Sequence, residues 1–493
     1  MSGIRPPVES VELRFRGADW DRLVGHLFPG DSDEHGAALL CGQAQVGTRL
    51  TLVVREVVPA QDGRDYLPGT RGYRLLDGAF VTRQLRAAHD AGLVYLAAHN
   101  HGGSDRVGFS GSDLASHERG YPTLLAINGS PVGGLVLAKN AIAGDIWLTD
   151  GRRLPLYVTT VVGEGLTRLT DGDSRESDSA TEQILERYER QALIFGPAGQ
   201  SILSNLRVGV VGAGGVGMLV VQALSRLGVG EFVLIDPDHV SVTNLPRLPE
   251  ARLSDAIGHW GNGPFGRLAR RFGRNQPTSK VRLAARVIHG ANPDARITAI
   301  RGDVADDSIA RSLIGCDFIF LAADTMLSRE VVNQIAYQYL VPTLQVGSKV
   351  VIDSASGDVL DVFGAVRALG TAPGCLRCND LINMSKLAEE SVASVEQRQN
   401  QRYVDEPGID APSVITLNAM AVGIAVNDFM QFATGLGRPA SGYRIIRSKP
   451  VAAGQPQLVV QQPHIDPECH VCGLRSYSVL SVGDASELPT RIR

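Results

Sequence analysis

The 493-residue chain is 44% hydrophobic and 20% charged, an ordinary globular mix with room for about two to four domains. Its net charge of −4 supplies no basic field, so neither nucleic acid nor an anionic membrane is an expected partner. No apolar run is long and unbroken enough to span a bilayer, and Met1–Glu12 lacks an apolar signal core, which makes the cytoplasm the expected compartment.

The first segment, residues 9–160, reads as strands Ala37–Leu40 and Leu50–Val58, then a helix Gly78–Ala91. A strand from Val94 runs into His101, followed by a helix Asp113–Arg119 and strands Thr123–Asn128 and Gly133–Ala138. That order is α+β. Residues 161–185, with the polar stretch Thr170–Glu182, read as a linker. From residue 186 to 475 strand and helix alternate. Strand Arg207–Val211, a Gly-rich turn, helix Met218–Leu227 and strand Glu231–Ile235 come first. Strands Arg296–Ile300 and Asp317–Ala322, helix Ser328–Leu340 and strand Thr343–Val346 follow. This alternation predicts a mostly parallel, doubly wound α/β sheet. Ser385–Glu406 reads as a polar crossover loop, Ser413–Phe432 as a closing helix, and 476–493 as a tail.

The strand from Val94 ends in His99-Asn100-His101, and Asp113 follows within Ser110-Gly111-Ser112-Asp113. Two His at i and i+2 on an extended strand point to one side. A carboxylate from the next helix start completes three ligands and leaves a fourth zinc position for water, as in catalytic sites. Glu34 is the upstream carboxylate available as general base, with Glu56 as the alternative, and the Ser110 hydroxyl suits a developing oxyanion. Two His near a strand end are alone a weak signal; Ser110, Asp113 and Glu34 strengthen it. The set Glu34…His99-x-His101…Ser110-x-x-Asp113 resembles the JAB/MPN (JAMM) metalloproteases, although Gly102 stands where that family has Pro. The resemblance covers residues 9–155. It implies a zinc peptidase or isopeptidase acting at the C-terminus of ubiquitin-like proteins.

Gly212-Ala213-Gly214-Gly215-Val216-Gly217 follows a strand and opens a helix, a turn that admits phosphate close to backbone. Asp236 ends the next strand and is placed for ribose hydroxyls. So far a nicotinamide dehydrogenase fits equally well. Asp238, Asn244, Arg247, Lys280 and Asp324 then favour ATP cleaved between the α- and β-phosphates. Arg247 and Lys280 would neutralise developing charge, and Asp324 would hold Mg²⁺. RYERQ, GAGGVG, DPDHVSVTNLPR, Lys280, AADT and two Cys-x-x-Cys pairs resemble the ThiF/MoeB-type adenylyltransferases. That family implies adenylation of the C-terminal Gly of a ubiquitin-like protein ending in or containing Gly-Gly. It also implies a homodimer in which Arg190 reaches the partner's ATP. About twenty extra residues within 253–274 separate Arg247 from Lys280 here. Their basic run is read as a solvated face.

Cys375/Cys378 and Cys469/Cys472 suit a Cys₄ structural zinc better than two redox pairs. Cys41 and Cys316 read as small buried hydrophobes, and no Cys lies between 379 and 468, where the ThiF/MoeB resemblance implies a thioester or acyl-disulfide cysteine. The chain is therefore expected to stop at an acyl-adenylate that a separate sulfur donor or thiol acceptor receives. The whole reads as an α+β JAB/MPN-like zinc hydrolase domain followed by an α/β Rossmann-like domain with structural zinc. The cofactors expected are ATP, Mg²⁺ and two Zn²⁺, one catalytic and one structural. Two readings stand beside it: an adenylyltransferase with a non-catalytic JAB docking domain, and adenylation of a small carboxylate or an RNA base.

Overall fold

A computed structural model describes residues 6–68, 74–172, 181–258, 260–261, 263–271, 275–353, 356–371, 374–392, 412–437, 442–447 and 457–491. The chain divides into two compact units. One gathers Met1–Ala180, Tyr337–Leu340 and Leu474–Glu487; the other holds Thr181–Ala336, Val341–Gly473 and Leu488–Arg493.

The first unit runs β1 (Ser10–Arg16), α1 (Gly17–Leu27), β2 (Gly36–Val46), β3 (Arg49–Pro59), α2 (Gly78–Asp90), β4 (Val94–Asn100) and α3 (Gly111–Asn128). Then come β5 (Val132–Leu137), β6 (Ile142–Trp147), β7 (Arg153–Val162) and β8 (Leu166–Leu169). The strand order is β1-β3-β2-β4-β5-β6-β7-β8, and β1 also pairs with β7, so the sheet closes on itself. Its two faces explain the continuous apolar run of β2. Ala37, Leu39 and Cys41 join an inner cluster with Val11, Leu52 and Leu96. Ala38 and Leu40 face the other way, into a cluster with Phe80, Leu85, Tyr95 and Tyr121. A strand covered on both faces has no polar alternation to show.

One expected element is corrected. Thr123–Asn128 is the last part of α3, not a strand. Pro122 lies inside that helix and removes one backbone donor. Packing overrides the break: Tyr121, Leu124 and Leu125 join the α2 cluster, and Asn128 Nδ2 donates to Leu93 O at 3.1 Å. The helix ends at Gly129, whose φ of 67° gives the left-handed cap.

Residues 474–487, most of them within the expected 476–493 tail, are built into this unit. Arg55 donates to Ser478 Oγ, Leu480 O and Arg475 O. A side chain on Gly42 would collide with the Val482 backbone, so this packing requires glycine there.

The second unit opens with α4 (Thr181–Asn205), kinked at Gly196, then β9 (Arg207–Val211), α5 (Gly215–Leu227) and β10 (Glu231–Ile235). A 3₁₀ turn Val242–Arg247 leads to α6 (Leu253–Ile257), α7 (Pro264–Arg271), α8 (Lys280–Ala291), β11 (Arg296–Ile300) and α9 (Asp307–Ala310). Next are β12 (Phe318–Leu321), α10 (Met326–Gln338), β13 (Thr343–Ile352) and β14 (Val359–Leu369). The unit continues through α11 (Met384–Val392), α12 (Ile415–Thr434), β15 (Tyr443–Arg447) and β16 (Gln457–Gln461). The order is β11-β10-β9-β12-β13-β14-β15-β16. The first five strands are parallel, and the last three add antiparallel. This is the doubly wound sheet the alternation predicts, with an antiparallel extension.

Two expected loops prove partly helical. The linker reading of 161–185 gives way to the end of β7, to β8 and to α4 from Thr181, and the crossover reading to α11; 173–180 and 393–406 lie outside the described residues. No helix among the described residues is long and apolar enough to cross a membrane.

Candidate metal and nucleotide sites

β4 delivers His99 and His101 to one side, and the first turn of α3 delivers Asp113. Nε2 of His99 lies 3.2 Å from Nε2 of His101. Asp113 Oδ2 is 3.7 Å from the first and 3.4 Å from the second. Tetrahedral zinc with bonds near 2.05 Å separates its ligand atoms by about 3.4 Å. The three atoms therefore fit one small cation, and all three residues are only partly buried. Gly108 O lies 3.2 Å from His101 Nδ1. With the proton held on Nδ1, Nε2 is left to bind.

Ser110 caps α3. Asp113 N donates to Ser110 Oγ, while Ser110 N and Oγ both donate to Asp113 Oδ2 at 2.8 and 2.7 Å. Burial pushes the Asp113 carboxyl up, but hydrogen bonds from His99 and Ser110 outweigh it and hold it below the usual carboxylate range. The hydroxyl expected at an oxyanion thus has a visible second task, aiming the ligand.

Glu34 Oε1 lies 3.8 Å from His101 Nε2, beside the triad. Glu56, the alternative base, is exposed in the middle of β3. What places Glu34 is a residue the sequence reading did not single out. Asn100, between the two histidines, accepts from His35 N at 2.6 Å and donates its own N–H to His35 O. A polar residue inside the His-x-His step was the available signal.

In the second unit β9 ends at the glycine loop. Gly212 has φ +92°, and a side chain on it would meet the Ala322 and Ala323 backbone. A side chain on Gly217 would collide with Gly212 O. Gly214 stands at the N-cap of α5 with φ −78°, brings no side chain to the first turn and has open space around it. Such a helix start offers N–H groups and dipole to an anion. Asp236 Oδ2 accepts from Ala213 N at 2.7 Å and Oδ1 from Asp238 N at 2.8 Å, pinning the loop. Burial raises its pKa, opposed by Lys280.

Lys280 heads α8. Its Nζ lies 2.9 Å from Asp238 Oδ2 and 4.0 Å from Asp236 Oδ1. The extra residues before it therefore do not displace it from the group. Asn244 Oδ1 accepts from Ser241 N at 3.3 Å and shapes the turn that carries Arg247. Arg247 packs against the loop: a Cβ on Gly215 would lie 3.4 Å from Arg247 Cδ. Asn418 of α12, which sequence did not flag, approaches Gly215 from another side and accepts from Ser348 Oγ at 2.6 Å.

Asp324 is exposed just after β12. Nearby, Glu390 of α11 accepts from the N–H groups of Met326 and Leu327 at 3.2 and 2.8 Å, occupying the start of α10. Arg190 is exposed on α4, and among the described residues no hydrogen bond or ion pair joins it to the Asp236 group.

The four cysteines of the two pairs converge. Their Sγ atoms stand 3.7 Å (Cys375–Cys378), 3.7 Å (Cys375–Cys469) and 3.5 Å (Cys378–Cys472) apart. Tetrahedral Zn–S bonds of 2.3 Å require about 3.8 Å. The cage fits zinc, and three of its four residues are buried. Cys41 and Cys316 are buried, and burial pushes the Cys41 thiol far up.

A model of the ThiF family matches residues 188–469, more than half of the chain's length. The molybdopterin-synthase adenylyltransferase of Salmonella typhimurium is 26% identical over 298 residues, 59% of this chain and 98% of that protein. The SAMP-activating enzyme E1 of Haloferax volcanii is 31% identical over 153 residues, 31% of this chain and 49% of that protein. The tRNA threonylcarbamoyladenosine dehydratase of Bacillus subtilis is 31% identical over 144 residues, 29% of this chain and 49% of that protein. The chain thus spans about half the length of the last two and nearly all of the first.

Proposed function

The chain belongs to the ThiF family, and from that premise we propose that its second unit adenylates the C-terminal Gly of a small ubiquitin-like or sulfur-carrier protein. The observation carrying this reading is the gathering of Asp236, Asp238, Lys280 and Arg247 around the uncapped start of α5. The substrate carboxylate attacks the α-phosphorus, and pyrophosphate leaves. Arg247 and Lys280 neutralise the charge that develops, Lys280 turning from Asp238 to phosphate, and Asp324 would hold Mg²⁺. Asp236 keeps the loop in place and presents its remaining lone pairs to ribose. A homodimer in which Arg190 reaches the partner's nucleotide completes the site. Cys375, Cys378, Cys469 and Cys472 would hold a structural zinc that ties the two pairs together, and a separate sulfur donor or thiol acceptor takes the activated carboxylate.

The first unit is read as a JAB/MPN-type zinc peptidase acting on the same protein, trimming it to Gly-Gly or releasing it from a conjugate. His99, His101 and Asp113 would hold the ion. Zinc there supplies an acidified water as nucleophile. With that ion bound, Glu34 would take a proton from the attacking water and return it to the leaving amine, and Ser110 keeps Asp113 aimed. Joining both activities in one chain raises the effective concentration of the trimmed tail.

The test is ATP–pyrophosphate exchange with a small Gly-Gly-ended protein, and cleavage of the same protein extended beyond Gly-Gly. Exchange with cleavage supports the whole reading. Exchange without cleavage, and one zinc per chain, would leave the first unit a docking module. Exchange driven by a small carboxylate or by tRNA, the substrate named for the Bacillus subtilis relative, would replace the protein substrate.

A further inference from the structure

The three candidate ligands come from two elements, β4 and α3, and something must fix the distance between them. One turn beyond Asp113 on α3, His117 is buried and takes no part in the site as described. Its Nδ1 donates to Asp145 Oδ2 on β6 at 2.7 Å. Asp145 is buried too; Arg153 forks onto both its oxygens, and Trp147 Nε1 approaches at 3.4 Å. The far side of the His117 ring lies on Gly134 of β5, where an added Cβ would sit 2.6 Å from Cε1 and 2.7 Å from Nε2. Gly134 pairs with Asp145, and two residues on, Val136 pairs with His99. Tyr121 stacks on His117 at 4.3 Å. Phe109, next to the cap Ser110, meets the ring edge-on at 4.9 Å and faces His99 at 6.3 Å.

We infer that His117 is a positioning residue of the metal site, tying α3 to β5 and β6 so that Asp113 stays in register with His99 and His101. The inference rests on reading those three residues as metal ligands. A hydrogen bond to an ionised, doubly clamped carboxylate fixes the ring, and the glycine beneath allows it to seat. An apolar residue could fill this volume, but it would leave Asp145 with one partner fewer and the helix without a directional anchor.

The experiment uses the full chain, stripped of metal and titrated with Co²⁺. The Cys₄ cage then reports through thiolate-to-cobalt absorption, and the His/His/Asp site through weaker visible bands, so each chain carries its own control. His117→Leu should weaken cobalt binding at the first site by about 10-fold, shift its visible bands and leave the thiolate bands unchanged. His117→Asn, whose amide nitrogen can stand where Nδ1 stands, should recover affinity to within about 3-fold of the parent. Unchanged binding and bands in His117→Leu, or an equal loss in both variants, would overturn the inference. Cobalt bound by the parent chain at the cysteines alone would instead overturn the ligand reading, and this inference with it. Should His117→Leu fail to fold, Gly134→Ala pushes the same ring aside and should give the same spectral change at smaller amplitude; parental bands there would overturn the role.

Discussion

Helices α3 and α5 each begin beyond the end of a strand, yet they present opposite charges to whatever binds there. At α3 the first turn is satisfied from within: Ser110 caps it and Asp113 closes the box, leaving a carboxylate beside two histidines. At α5 the first turn has no side-chain cap, and Gly214 to Gly217 leave backbone open to an anion. A capped start that presents a carboxylate suits a cation, and a bare start suits a phosphate. A third helix refines the contrast. Asp255 accepts from the Arg252 N–H at the start of α6 as Asp113 accepts from Ser110 N at α3, but it meets Arg286 and not histidine, so its charge is spent inside the fold.

Separating the two sites should give the largest effects. Asp324→Ala should reduce ATP–pyrophosphate exchange about 10³-fold or more and leave cleavage intact, and His99→Ala should do the reverse. Loss of both activities in either folded variant would break the two-site reading. Converting one helix start into the other comes next. Gly214 has a negative φ of −78° open to any residue and free space, so Gly214→Asp should be tolerated sterically, gain a few tenths of a kcal/mol as a cap and weaken ATP binding about 100-fold. Calorimetric titration with ATP reads this directly, and unaltered binding would show that the bare start is not used. Cys378→Ser should release one zinc per chain and lower stability by about 4 kcal/mol, measured by metal analysis and urea unfolding.

The smallest effect concerns Asp255. The Arg286 guanidinium beside it holds its carboxyl at about 2. A carboxylate depressed in the fold contributes stability above its unfolded value, near 4, and loses it as pH falls through its folded value. Arg286→Ala should therefore cost about 1 kcal/mol at neutral pH, and the gap to the parent chain should close between about pH 4 and pH 2. Urea unfolding over this range checks the sign; a gap that widens on acidification would contradict it.

The residues that sequence spacing exposes best are those whose neighbours lie close in the chain. His99, His101 and Asp113 share a strand end and the next helix start, so counting positions suffices. Gly212 to Gly217 and Asp236 follow the same logic across one β-α-β step. Glu34 is harder, because its place depends on Asn100 binding the His35 backbone across two strands. Asn418 and Glu390 escaped notice because each reaches its site from a helix late in the chain. Thr123–Asn128 misled because apolar residues after a proline favour a strand locally, whereas the α2 cluster decides the outcome. His117 is silent in sequence: a single buried histidine has no pattern until Asp145 and Gly134 surround it.

An ion held by the cysteine cage would also act on the chain before it folds. Partners such as Cys375 and Cys469 are 94 positions apart, so a bound ion would close a long loop of polypeptide. For a covalent link of that span, the lost freedom of the unfolded chain is worth about 4–5 kcal/mol. A metal that stays on the thiolates during unfolding would impose a similar restriction. Chelation would then free the open chain as well as loosen the folded one, and refolding should slow when zinc is withheld even if the final fold is reached.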